Sequence, residues 1–138
     1  EWYVTADAVD DNGKVVISDP FNKGKFHLLT YNTSSNVADK MYVSDEGNFW
    51  GFNVLSDCNV NTLTFSTNGP VGSIGSDTCA VKITDGKILP KQGHQNNGSV
   101  ADSIVFYVSF SDDSNPAANG YTKYKISGVR YSGLTVNN

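Results

Sequence analysis

Charge is scarce in this sequence. Of its 138 residues, 17% are Asp, Glu, Lys or Arg, and the balance is acidic, net −4 with a pI near 4.9. That argues against nucleic acid or an anionic membrane surface as a partner, since both are recognised by clustered Lys and Arg. Long apolar runs are missing too, so no segment reads as a membrane-crossing helix. Histidine is limited to His27 and His94, and cysteine to Cys58 and Cys79. Neither pair has the spacing of a zinc site, and no metal or other cofactor is expected. No G-x-S-x-G nucleophile elbow is present. The Gly-rich stretch GPVGSIGS (69–76) does not lead from a strand into a helix, so it reads as a connector rather than a phosphate cradle. The chain starts on Glu1 without Met or signal peptide, as expected of a mature or trimmed fragment.

What the sequence has is alternation. Aromatics reach 12% and glycines number 13, and apolar residues recur with period two between turn-forming clusters. The segments WYVTADA (2–8), KVVISD (14–19), KFHLLTYN (25–32), ADKMYVSD (38–45) and FWGFNVLS (49–56) read as strands. So do NVNTLTFST (59–67), CAVKITDGKILP (79–90), VADSIVFYVSFSDD (100–113) and YTKYKISGVRYSG (121–133). The connections are too short for helical crossovers, so consecutive strands should pair antiparallel. A sandwich and a meander barrel both satisfy this, and the regular hairpin spacing favours the barrel. The expected fold is all-β: a single domain over residues 1–138, an eight-stranded antiparallel up-and-down barrel.

Phase sorts the faces. Trp2, Val4, Ala6 and Ala8 share one side of the first strand, and Trp50, Phe52 and Val54 one side of the fifth. Leu63 joins Phe65, and Ile104, Phe106, Val108 and Phe110 line up together. In the last strand Tyr124, Ile126, Gly128 and Arg130 share the apolar face. Phase therefore predicts Arg130 inside, where a guanidinium needs a partner. Asp102 is in phase with Ile104 and Phe106, and is expected to cap a backbone or pair with a base at the barrel mouth.

A first-strand Trp, a last-strand Arg and a meander between them resemble the calycins, or lipocalin-like barrels. That resemblance implies that Arg130 lies across Trp2 and that the first and last strands meet to close the sheet. More narrowly, EWYVTADAVD, FHLLTYNTSS, DKMYVSD, TLTFS, VKITDGKIL, VADSIVFYVSF and YKISGVRYSG resemble the Bacteroidetes lipoprotein family described as lipid-binding putative hydrolases. They cover most of the chain in order. The chain departs from the family pattern where GHRRTG is expected and GVRYSG stands, which leaves one basic residue, Arg130. The resemblance implies an exported barrel lipid-anchored in the cell envelope, in the periplasm or at the outer membrane, with a lipid or other apolar cargo.

Catalytic chemistry is thinly represented. His27 is out of phase with Phe26 and Leu28, and His94 sits in a polar loop; both read as structural or solvated. The paired carboxylates Asp10–Asp11, Asp45–Glu46 and Asp112–Asp113 fall at turns, where Asp is favoured for backbone reasons. DDSNPAANG has oxygens for a weak Ca²⁺ site but lacks the EF-hand spacing. Cys58 and Cys79 should lie at opposite ends of a hairpin, too far apart for a disulfide. The expected ligand-binding residues are Phe26, Leu28, Met41, Trp50, Phe52, Phe65, Phe106 and Tyr124. An eight-stranded barrel is just wide enough to be filled by its own side chains or to hold one small ligand. Small inward residues, Ala6, Ala8 and Gly128, favour a cavity. The leading reading is a monomeric, non-catalytic binder of a lipid or other small apolar ligand. Hydrolysis of lipid-like esters is a second reading, and a third is adhesion to protein or glycan through outer tyrosines (Tyr3, Tyr42, Tyr107).

Overall fold

The alternation builds one antiparallel sheet that closes on itself. A computed structural model describes residues 1–33, 38–75 and 79–138. The polar turn expected after Asn32 and the connector expected from Asn68 lie partly outside the described residues. The strands are β1 (Trp2–Val9), β2 (Val15–Ser18), β3 (Phe26–Asn32), β4 (Lys40–Ser44), β5 (Asn53–Asn59), β6 (Thr64–Ser66), β7 (Val71–Gly72), β8 (Ala80–His94), β9 (Val100–Phe110) and β10 (Lys123–Arg130). A five-residue helix, α1 (Asn115–Asn119), precedes β10, and a 3₁₀ turn (Thr135–Asn137) follows it. Neighbours run β1, β3, β4, β5, β6, β8, β9, β10 and back to β1, a closed eight-stranded barrel. Eight rungs from Trp2↔Arg130 to Val9↔Lys123 make the closure, which removes both open edges.

Two staves are broken. β3 pairs with Trp2–Val4 of β1, and β2 pairs with Asp7–Val9 on the same edge. β2 and β3 are thus collinear pieces, not the antiparallel neighbours expected from consecutive strands. The break is built by carboxylates: Asp7 accepts from the Asp19 amide at 3.2 Å, and Asp19 accepts from the amides of Lys23 and Gly24 at 2.9 and 3.0 Å. Asp19 and Asn22 take positive φ, conformations that Asp and Asn tolerate well. The loop delivers Phe21 against Phe49 and Tyr124, with ring centroids 5.5 and 5.6 Å away. In the same way β6 and β7 share the edge of β8.

We call the end carrying Val9, Phe110 and Ala80 upper, and that carrying Trp2, Arg130 and Asn59 lower. The upper end is plugged by a segment that reads as a strand and is not one. β5 begins only at Asn53. Before it, the chain wraps around the buried carboxylate of Asp45, which accepts from the amides of Gly47, Phe49, Trp50, Gly51 and Phe52 at 2.6–3.1 Å. The FWGF alternation is local; five charge-assisted bonds outweigh it. Gly51 turns the chain at φ 86°. Phe49 stacks on Phe26 at 5.6 Å, and Trp50 stacks on Phe110 at 4.8 Å.

Below the plug the interior is packed. Val4, Ala6, Ala8, Leu28, Val43, Val54, Ile83, Ile104, Phe106, Val108, Tyr124 and Ile126 are all buried in one cluster. The volume expected beside Gly128 is absent, because β1 takes it: a Cβ there would sit 2.1 Å from the Tyr3 carbonyl oxygen. Phe65 lies against Gly86 in the same fashion. Tyr124 donates to Asp113 and shares a 3.0 Å hydroxyl contact with Tyr121.

Burial, then the Asp113 carboxylate, holds the Tyr124 phenol above its ordinary pKa. The unfolded chain releases this proton near pH ~10 while the folded chain keeps it. Stability from this group is therefore full below that pH, and falls by about 1.4 kcal/mol per pH unit above it. Urea unfolding between pH 8 and 11.5 should show that decline, and Tyr124→Phe should flatten it. Equal slopes in both proteins would count against the assignment.

Candidate site at the lower mouth of the barrel

Trp2 floors the lower end. Its indole donates to Thr30 Oγ1 at 3.0 Å, and the Arg130 guanidinium carbon lies 5.1 Å from the ring centroid. The inward phase of Arg130 and its contact with Trp2 hold, but the expected burial does not. Its side chain is 56% exposed, because the residue ends β10 and stands below the floor rather than above it. Phase reports the face of a strand and is silent about depth along the barrel. At this exposure the stacking is worth about 0.5–1 kcal/mol. Arg130→Ala is accordingly expected to cost about 1 kcal/mol in urea unfolding, well below the loss for a buried arginine.

Asp102 does both things expected of it. It accepts from Arg130 Nη2 at 3.2 Å and from the Lys91 amide at 3.1 Å. Here β8 runs past the expected stop at Pro90 to His94, with register shifts between Thr84 and Lys87 and between Leu89 and Gly93. The β8–β9 ribbon thus projects below the floor. The C-terminal segment ties to its tip through Asn137 Oδ1, which accepts from the Asn97 amide at 2.9 Å. Between ribbon and segment runs a groove of about 390 Å³, lined among others by Lys91, Val100, Asp102, Arg130, Tyr131 and Leu134. That volume lies in the range of small-molecule sites.

Across the mouth from Trp2 lies a second, almost wholly apolar recess of about 80 Å³. Its walls include Met41, Phe65 and Ile88, and the exposed turn residues Val60 and Leu63 cover it. Leu63 was expected in phase with Phe65 on a strand. It sits instead in a turn at φ 56°, folded there by Asn59, whose side chain accepts from the amides of Asn61 and Thr62 at 2.9 and 3.2 Å. At ~30 Å³ per water-sized group, the recess has room for about two or three such groups, enough for the end of an alkyl chain.

Of the residues expected to bind ligand, Met41 and Phe65 wall this recess. Leu28 and Phe106 belong to the packed interior, and Phe26, Trp50, Phe52 and Tyr124 meet in or under the upper plug. Sequence reading missed Leu63, Ile88, Lys91, Val100 and Leu134. Two apolar residues inside the polar NVNTL turn were the available signal for the first; strand bulges hid Ile88 and Lys91.

Other candidate groups have partners of their own. His27 Nδ1 meets the Glu1 carboxylate, and its ring packs on Tyr3 and Tyr131 at 5.2 and 4.5 Å. Among the described residues no serine hydroxyl hydrogen-bonds to either histidine. Cys58 and Cys79 form no disulfide and stand toward opposite ends, and burial pushes both thiols up. Asp112 accepts from Cys79 Sγ and Trp50 Nε1 at 3.2 and 3.0 Å. Asp113 caps Asn115 and holds Tyr124, so the oxygens of DDSNPAANG serve α1 and the plug. Tyr42 stacks on Tyr31 at 4.9 Å, and Lys123 covers Tyr107 at 4.7 Å.

No curated protein matches this chain. A family model does, over residues 1–135, nearly the whole length, and it carries the description lipid-binding putative hydrolase. The chain, a closed antiparallel barrel, belongs to the lipid-binding putative hydrolase family.

Proposed function

We propose that the protein binds a lipid or other small apolar ligand at the lower mouth of its barrel, without turning it over. The observation that carries this reading is the apolar recess beside Met41, Phe65 and Ile88, opening under an interior that is already filled. A filled interior pushes ligand contact to the mouth, where apolar surface is left over. Met41 and Phe65 touch the ligand; Phe26, Leu28, Trp50, Phe52, Phe106 and Tyr124 form the rigid base above it. Two facts support binding without hydrolysis. Thiols held above their ordinary pKa are poor nucleophiles. Nor does either histidine hydrogen-bond a serine hydroxyl among the described residues, as an assembled nucleophile–base pair does.

In keeping with its resemblance to lipocalin-like Bacteroidetes lipoproteins, the protein does this as an exported, lipid-anchored monomer in the cell envelope. Native mass spectrometry before and after delipidation tests the reading. Co-purified lipid, or uptake of 1-octanol that Met41→Trp reduces at least fivefold, is the expected result. No lipid, no uptake and an esterase turnover abolished by His27→Ala would replace it with the hydrolase reading.

A further inference from the structure

The groove under the floor is larger than the recess, and it is cationic. Its lining holds one lysine and one arginine against one aspartate, a net +1 on a protein of net −4. The arginine donates one hydrogen bond among the described residues, Nη2 to Asp102, and more than half of its side chain faces solvent. A guanidinium has five donors in a planar fork that matches a carboxylate, so most of its capacity remains for a ligand. Apolar side chains stand beside the charges: Val100 and Leu134 are each more than half exposed within the same groove. Ile88 of the apolar recess and Lys91 of the groove are three residues apart on β8, under the ~10 Å of a fully extended strand because β8 bulges after Leu89. A cationic end and an apolar end at that separation suit an amphiphile.

We propose that this groove holds the head of an aliphatic carboxylate, with Arg130 and Lys91 on the carboxylate and Val100 and Leu134 along the chain. The proposal rests on the lipid-binding reading and names the ligand class. A single surplus positive charge matches a monoanionic carboxylate better than a dianionic phosphate ester. Asp102 is the internal competitor: it positions Arg130 over Trp2 and lowers the affinity for a second anion.

The chain has two tryptophans, Trp2 at this floor and Trp50 in the upper plug, so Trp50→Phe leaves a single reporter against Arg130. Octanoate, octyl phosphate, 1-octanol and acetate are titrated against it at low salt. Octanoate should change Trp2 emission saturably and bind at least tenfold more tightly than 1-octanol and severalfold more tightly than octyl phosphate. Lys91→Gln should weaken octanoate about fivefold and leave 1-octanol unchanged, while Asp102→Asn should tighten octanoate. Equal binding of octanoate and 1-octanol would overturn the carboxylate assignment and leave the lipid reading standing. Octyl phosphate binding as tightly as octanoate would overturn the carboxylate in favour of a phosphate head, and acetate doing so would reduce the groove to a simple anion contact. Binding of none of the three eight-carbon compounds would remove both readings. Calorimetry on the unsubstituted protein gives the same comparison if Trp50→Phe unfolds.

Discussion

Asp45→Ala is expected to destabilise the barrel by about 4 kcal/mol or more, the largest loss from any single side chain outside the apolar core. The carboxylate is fully buried and five backbone amides converge on it. Each bond to a charged acceptor contributes about 1.5–3 kcal/mol, and each donor left buried without a partner costs about 1–3 kcal/mol. The bonds form one unit, so their contributions do not add. Loss of the loop also releases Phe49, Trp50 and Phe52, which opens the upper end to water. Against a typical total of about 5–15 kcal/mol, such a loss leaves the protein marginal. Asp45→Asn should be nearly as costly, because an amide offers one acceptor oxygen and turns two donors toward amides. Urea unfolding followed at Trp50 checks this; a loss under ~1 kcal/mol would mean that the plug does not depend on the carboxylate.

Gly128→Ala is expected to cost about 3 kcal/mol through a different mechanism, separation of two backbones. The added Cβ would stand 2.1 Å from the Tyr3 carbonyl oxygen and 2.6 Å from Val4 Cα. Both neighbours are main chain, so no side chain can swing away; β1 and β10 must part where the barrel closes. Gly72 is the control, since nothing among the described residues lies within 4 Å of its added Cβ and it ends the two-residue strand β7. Gly72→Ala should change stability by less than ~0.5 kcal/mol. Faster amide exchange at Tyr3, Thr5 and Val129 in Gly128→Ala would place the damage at the closure.

These two residues also show where sequence reading succeeds and where it stops. Alternation in WYVTADA, VADSIVFYVSF and YKISGVRY gave the strands and their inward faces, because a half-buried strand must repeat every two residues. The Trp2–Arg130 meeting was expected from the resemblance, and the two residues pair across the β1–β10 ladder. FWGF misled because its alternation matches a strand, while the deciding contacts come from one carboxylate reaching seven residues along the chain. Gly128 read as spare volume, yet a glycine facing inward can equally mark a neighbour too close for a Cβ. Arg130 lay on the face that phase assigned and at a depth that phase cannot give. At the mouth, Phe65 was legible from phase, and Met41 stood among the expected ligand-binding residues. Ile88 and Lys91 were not, since bulges after Thr84 and Leu89 shift the β8 register.

The fold therefore assigns its parts unequal work. The plug around Asp45 and the closure at Gly128 hold a rigid, filled barrel, and the lower mouth carries the surface available for a ligand. Chemical-shift mapping on ¹⁵N-labelled protein during titration with octanoate and with 1-octanol tests that division most directly. Saturable shifts should gather at Met41, Phe65, Ile88 and, for octanoate, Lys91 and Arg130, while Phe52, Val54 and Tyr124 stay still. Shifts centred on Phe52 and Tyr124 with a quiet lower mouth would contradict it.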